Sequence, residues 1–305
     1  MTRRSLSGIL PAEKGPGVTS FQVVARLRRL LRAPKIGHGG TLDPDATGVL
    51  PILIGEATKL TPYLAELDKE YLATVRLGVI TDTQDMTGAV LEIRPVPALD
   101  RGAIEETLHR FVGTISQVPP MYSALRRGGR RLHELAREGI TIDREARQIT
   151  VHAITLEALD PPELTMRVRC GKGTYVRTLA ADLGALLGCG GALVSLIRTR
   201  VGPYALVDAV RWAELDAPDA GDALWARVLP WDSALVSYPA VHLGAAETVR
   251  FAHGQTVPCP RGPEGYVRVY SSDGSCLGVG LGRAGTVKPE RLLHADPPRP
   301  SVLPA

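Results

Sequence analysis

No apolar run in this 305-residue chain approaches the roughly 20 residues a membrane-spanning helix needs. Residues 49–55 form one of the longest, and Pro51 and Gly55 interrupt it. Arg3 and Arg4 are followed by an apolar stretch too short for a secretory signal. Cysteine is scarce: Cys170, Cys189, Cys259 and Cys276 form no C-x-x-C pair and no short-spaced set with the seven histidines. That spacing argues against a structural zinc site and for reduced thiols in the cytoplasm, with no membrane partner. There is no internal repeat, and the 32 glycines and 24 prolines follow no period, which excludes a collagen-like chain. A 44 % hydrophobic and 22 % charged composition excludes general disorder. The length suggests two domains.

What is present is unevenly placed. The net charge is only +4, yet residues 14–42 carry Lys14, Arg26, Arg28, Arg29, Arg32 and Lys35 with no acid. Residues 126–138 hold five arginines against Glu134 and Glu138, and residues 165–181 hold Arg167, Arg169, Lys172 and Arg177 with no acid. Acid collects at Glu214, Asp216, Asp219 and Asp222, within a 210–230 stretch that reads as a connection. Thr19 and Gln22 form a T-x-x-Q capping box. Phe21, Val24, Leu27 and Leu31 then recur at helical spacing up to Pro34. The exposed face of that helix would carry Arg26, Arg29 and Arg32, either solvated or facing RNA. Residues 164–170 alternate strictly as a half-buried strand with a basic outer face, and 149–159 and 71–77 alternate nearly as well. Helices are expected over 100–112, capped by Asp100, and over 175–187, begun by Thr174. Interleaving without a βαβ beat predicts an α+β fold. After about Ser233, short strands at 265–270 and 276–280 between Gly and Pro turns suggest a small β-barrel.

The densest punctuation runs from Gly37 to Leu50, where Gly37, Gly39, Gly40 and Gly48 surround Asp43-Pro44-Asp45. Proline after Asp43 favours an extended backbone there, and glycines allow close backbone approach to a ligand. A carboxylate on such a loop, beside six cations, can stay ionised and serve as base or nucleophile. The same residues also read as an Asx turn in which Asp43 only accepts from backbone amides. A third reading is generic. Asp43-Pro44-Asp45-Ala46-Thr47 fits the D-x-D-x-T pattern of Mg²⁺-dependent aspartyl-phosphate phosphatases. That pattern needs a buried strand just before it, and residues 37–42 make a poor one.

Five blocks, in order across residues 14–204, resemble the TruB-type family of bacterial tRNA pseudouridine-55 synthases. They are the run from His38 to Leu60; Lys69-Glu70-Tyr71 with the 81–88 block Thr-Asp-Thr-Gln-Asp-Met-Thr-Gly; and the run from Pro119 to Gly139. The last two are Cys170 to Thr178 and Leu196 to Pro203. The resemblance implies a core of mixed, mainly antiparallel sheet with flanking helices. It also implies isomerisation of the T-loop uridine to pseudouridine, with no cofactor and no metal. In that reaction the N1–C1′ bond breaks, the uracil turns, and C5 bonds to C1′. By the match, Asp43 is the catalytic aspartate, attacking either uracil C6 or sugar C1′, and Arg177 pairs with it. Tyr71 would stack on the target base and Leu196 pack on its other side. His38 would fill the space the flipped nucleotide leaves, with Lys14, Gly40, Thr41, Leu42, Lys172 and Tyr175 also at the substrate.

From about Tyr238 the chain resembles a PUA domain, carried by Gly278-Val279-Gly280 and Lys288-Pro289-Glu290-Arg291-Leu292. The expected division is a catalytic domain over 1–236, a PUA-like RNA-binding domain over 237–295 and a disordered Pro-rich tail over 296–305. The expected partner is the T-arm of tRNA, bound by a monomer with no obligate protein partner. Two departures from the family pattern stand out. Lys14-Gly15-Pro16-Gly17 has its proline displaced by one, and Ile197 sits between Leu196 and Arg198. A tRNA-binding chaperone with an incidental Asp43 is the competing non-enzymatic reading. If residues 119–148 close on RNA, tRNA should protect them from limited proteolysis; equal cleavage with and without tRNA would contradict closure.

Overall fold

The computed structural model describes residues 7–293 apart from Ala124, Pro218 and Asp219, so the Pro-rich tail lies outside the described residues. Its main element is a nine-stranded sheet. Seven strands run in the order Gly8–Lys14, Thr47–Ile54, Gly191–Val201, Lys69–Leu77, Glu163–Cys170, Arg147–Asp160 and Gly113–Gln117. Ile36–His38 adds beside Thr47–Ile54, and Tyr204–Ala205 beside Gly191–Val201. The one parallel pairing among them joins Thr47–Ile54 to Gly191–Val201. This is the mixed, mainly antiparallel α+β core that the sequence predicts.

Alternation explains the long strands. Along Glu163–Cys170 the side chains of Leu164, Met166, Val168 and Cys170 are buried, whereas Thr165, Arg167 and Arg169 are not. The buried set meets helices Arg101–His109 and Val176–Leu186 through Ile104, Leu108, Val176, Leu179 and Leu183. Asp100 caps the first of these, accepting from the Ala103 amide at 2.8 Å. Thr174 does not cap the second. Its hydroxyl donates to the Gly171 carbonyl at 3.2 Å, and Tyr175 occupies the cap position without a side-chain bond to the helix amides.

Helix Ser20–Leu31 carries the capping box of Thr19 and Gln22 in full. Its buried face is Ser20, Val23, Val24, Leu27 and Leu31. Phe21, expected among the apolar contacts, is 71 % exposed because it lies one position, about 100°, off that face. The 210–230 stretch is not a loose connection. Val210, Leu215, Leu224 and Val228 pack into the core beneath this helix, and Ile9 and Leu229 exchange backbone hydrogen bonds. Arg26, expected on the outer face, is drawn onto this stretch. It pairs with Asp216, donates to the Leu215 carbonyl at 3.2 Å, and lies 5.0 Å from the Trp212 ring centroid.

A second, five-stranded sheet runs in the order Ala240–His242, Gly265–Tyr270, Cys276–Arg283, Thr286–Leu292 and Val257–Pro258. Its small core, Val241, Phe251, Val257, Val267, Val269 and Val287, fits the expected PUA-like β-fold. Two features seat it on the main body. Val279 and Leu293 enter a cluster with Leu60, Leu64 and Leu235, and the rings of Tyr63, Tyr238 and Tyr266 meet pairwise at 5.9–6.2 Å.

The two halves of the main sheet meet at Gly48. It lies opposite Lys14 on one side and Arg198 on the other. Its φ is +112°, and a Cβ there would stand 2.2 Å from the Arg198 carbonyl oxygen. Gly48→Ala is expected to cost about 3 kcal/mol or more, read as a fall in the urea midpoint, because backbone rather than a pliant side chain must move.

Candidate active site

Asp43 sits on the loop between strands Ile36–His38 and Thr47–Ile54, and that loop is held from below by two buried cations. Lys14, the last residue of its strand, is fully buried. Its Nζ donates to the carbonyls of Pro44 and Ala46, each at 2.6 Å, and of Gly15 at 3.1 Å. Arg198 is 2 % exposed and spreads its fork over the same loop. Nε donates to the Val49 carbonyl at 2.8 Å, Nη2 to Gly40 at 3.0 Å and Nη1 to Thr41 at 3.4 Å. A third tie comes from the helix, where the Ser20 hydroxyl accepts from the Leu42 amide at 3.0 Å and donates to its carbonyl at 3.3 Å. A charge buried this deeply needs such acceptors to offset its lost hydration. Burial still pushes Lys14 down to about 8, although the Asp45 and Asp43 carboxylates pull it back up. Burial likewise lowers Arg198, and the Tyr71 hydroxyl beside it acts in the opposite sense.

From above, Arg177 reaches the carboxylate itself. Its Nη2 lies 3.1 Å from Asp43 Oδ2, with the arginine side chain 7 % exposed and the aspartate side chain 52 % exposed. The same guanidinium pairs with Asp85 Oδ2 at 3.3 Å and donates to the carbonyls of Thr83 at 3.2 Å and Tyr122 at 2.8 Å. Asp85 is itself fixed, its Oδ1 accepting from the hydroxyls of Thr83 at 2.7 Å and Thr87 at 2.6 Å. The result is a rigid cation with one half-exposed partner. A carboxylate held in this way is oriented and yet open to a substrate, as a nucleophile needs to be.

The other expected site residues divide into two groups. Tyr71 lies directly across from Arg198 in the sheet, and Leu196 across from Ala73, so both side chains share one face next to the loop. Burial raises the Tyr71 phenol, with the nearby Asp43 charge adding to the rise, so it keeps its proton at neutral pH. Burial also raises Tyr175, whose hydroxyl is hydrogen-bonded to Ser123 and which feels both Arg177 and Asp43. His38 is half-buried, with its Nδ1 accepting from the Gly40 amide at 3.3 Å. Burial and the Arg198 charge lower its pKa and keep the imidazole neutral. Gly40 and Thr41 present their carbonyls to Arg198. Lys14 and Leu42, expected at the substrate, are 0 % and 4 % exposed, and the Lys14 ammonium and the Leu42 backbone bonds to Ser20 shape the loop. Lys172 is exposed but paired with Glu66 at 2.7 Å.

Four contributors were missed. Asp85 lies in a block matched as a whole and was given no role of its own. Arg198 enters the sequence reading only as the neighbour of Ile197, and in the structure it is an internal pillar. Ser20 and Gln117 act through backbone groups and carry no charge, so no local pattern marks them. The displaced proline at Pro16 leaves Lys14 in its strand, and Ile197 stays in register opposite Leu72. The strand following Asp43 runs from Thr47, whereas the phosphatase pattern needs a buried strand just before the aspartate, and only the three-residue Ile36–His38 precedes it. Among the described residues no group of three or more His, Cys, Asp or Glu could hold a metal ion.

Charged Lys14 has three protons for three carbonyls, and the neutral amine has two. As pH rises through about 8 the loop therefore loses a tie. Single-turnover rates should fall on that alkaline limb, and a rate that stays flat between about pH 7 and 9 would contradict the loop's dependence on this ammonium.

Comparison with known proteins points to one family. Residues 28–176 match the N-terminal domain of the TruB family of pseudouridylate synthases. Residues 177–236 match the tRNA pseudouridylate synthase B C-terminal domain, and residues 239–293 the C-terminal region of pseudouridine synthase II TruB. The chain is 48 % identical over 300 residues to tRNA pseudouridine synthase B of Burkholderia mallei (strain NCTC 10247), covering 96 % of this chain and 99 % of that one. It is 43 % identical over 298 residues to the protein of the same name from Pseudomonas aeruginosa (strain UCBPP-PA14), covering 96 % and 98 %. Its fold resembles a chain in the crystal structure of a Cbf5-Nop10-Gar1 complex, with a TM-score of 0.72 at 23 % identity over 94 % of this chain and 84 % of that one. With this level of identity running almost from end to end, the chain belongs to the TruB family of pseudouridylate synthases.

Proposed function

We propose that the chain isomerises the T-loop uridine at position 55 of tRNA to pseudouridine, with Asp43 as nucleophile. The observation that carries this reading is the Asp43–Arg177 pair, a half-exposed carboxylate fixed by a buried guanidinium on a loop tied at its backbone. The relatives' names support tRNA as the substrate, and family membership supports the reaction class. In the reaction the N1–C1′ bond breaks and C5 bonds to C1′; C5 gives up a proton and N1 takes one up on the product. Nothing is oxidised or reduced, so the residues need only bind, orient and attack.

Arg177 keeps Asp43 aimed as the carboxylate gives up charge to the substrate and regains it. Tyr71 and Leu196 supply an apolar slot on the sheet face for the uracil. Removing the base from a folded loop costs a few kcal/mol, and the neutral His38 beside Gly40 is placed to fill the gap. Exposed Arg28, Arg29 and Arg32 form no ion pair among the described residues and suit phosphate contact. We further read residues 1–236 as the catalytic domain and 237–295 as the RNA-binding domain, in a monomer that works in the cytoplasm.

Asp43→Asn tests the assignment. Incubated with unmodified tRNA, the variant should form no pseudouridine at position 55 yet bind tRNA nearly as the parent does, and the parent should work in EDTA when the tRNA stays folded. Wild-type turnover by Asp43→Asn would overturn the assignment of Asp43, and a parent that binds tRNA yet forms no pseudouridine would favour the chaperone reading.

A further inference from the structure

The segment between Gln117 and Arg147 is a unit with its own apolar centre. Met121, Leu132 and Leu135 pack with Tyr122, Leu125, Ala136 and Ile142. It leaves the main sheet at one register pair, Gln117 opposite Arg147, so its stem is two strands wide. Gln117 is 2 % exposed, and its side chain does not point into the segment. It turns to the start of helix Val176–Leu186. Its Oε1 accepts from the Tyr175 amide at 2.9 Å, and its Nε2 donates to the Tyr175 carbonyl at 3.1 Å. One side-chain amide thus satisfies both backbone groups of a cap residue that lacks a cap of its own.

Two further links join the same partners. Arg177 donates to the Tyr122 carbonyl at 2.8 Å, and the Tyr175 hydroxyl meets Ser123. Residues 117–123 and 175–177 are therefore fastened at three points, one of them the guanidinium that holds Asp43.

We propose that Gln117 is a positioning residue for the isomerisation. By clasping Tyr175 it ties the root of the 118–146 segment to the helix start that carries Arg177, and so holds the guanidinium in place against Asp43. The inference rests on the assignment of Asp43 above. Without the clasp, the helix start keeps its bond from the Leu179 amide to the Tyr175 carbonyl but loses one of its three lateral links, the one that holds the Tyr175 backbone. Phosphate contacts, which dominate RNA affinity, are untouched. The cost falls on the chemical step, where a misplacement of about 1 Å is worth up to about a hundredfold in rate.

Gln117→Met keeps the length and removes both hydrogen bonds. Gln117→Glu keeps the acceptor, and regains a donor to the Tyr175 carbonyl only when protonated. Single-turnover pseudouridine formation and tRNA Kd are measured for both, with Asp43→Asn as comparator. The expected result for Gln117→Met is a rate loss of about tenfold to a hundredfold with Kd changed by less than about twofold. Gln117→Glu should recover activity relative to the parent as pH falls, which keeps the test open if Gln117→Met fails to fold. A wild-type rate for Gln117→Met beside an inert Asp43→Asn overturns the role of Gln117 alone. So does a rate loss matched by an equal loss of affinity, or a Gln117→Glu profile parallel to the parent's. An active Asp43→Asn instead overturns the site assignment beneath it.

Discussion

Everything at this site depends on backbone carbonyls held by buried positive charge. Residues 39–46 form no strand or helix, since proline, glycine and the turn at Asp43 interrupt them, so their carbonyls need partners from elsewhere. Lys14 and Arg198 supply four of those bonds, and Arg198 a fifth to Val49 in the strand that follows, from positions flanking Gly48 in the sheet. The arrangement is reciprocal. The cations need the acceptors because they have lost water, and the loop needs the cations because it has no ladder. A glycine between the two cations lets the strands come together there. Asp43 then inherits its position from a framework that is itself buried.

Arg177 extends that logic to three distant stretches of chain. Its acceptors come from the 39–46 loop, the 81–88 block and the first turn of the 118–146 segment. A planar fork with five donors can satisfy all of them; a lysine could not reach so many directions. One buried side chain is thereby the point at which three loops agree on a common geometry.

Much of this was legible in the sequence, and the illegible part has a common cause. The capping box at Thr19 and Gln22, the alternating strand ending at Cys170 and the loop around Asp43 are local patterns, and each is found where expected. Arg26 and Asp216, or Arg167 and Glu70, lie 190 and 97 residues apart, so charge that looked unopposed along the chain is neutralised in space. Burial of Lys14 and Arg198 is equally invisible, because a cation in a strand reads as solvent-facing until its neighbours are known. Phe21 shows the opposite error: the apolar spacing was right, but the register of the buried face starts at Ser20.

The seating of the small sheet has one more consequence. With Val279 and Leu293 sunk into the main body and three tyrosine rings interlocked at the seam, the small sheet is fastened to the body that carries Asp43. The span between them is a fixed gauge. On the reading of residues 237–295 proposed above, an RNA engages both ends only if its own fold already has that length, and selection then falls on the architecture of the substrate before any base is read.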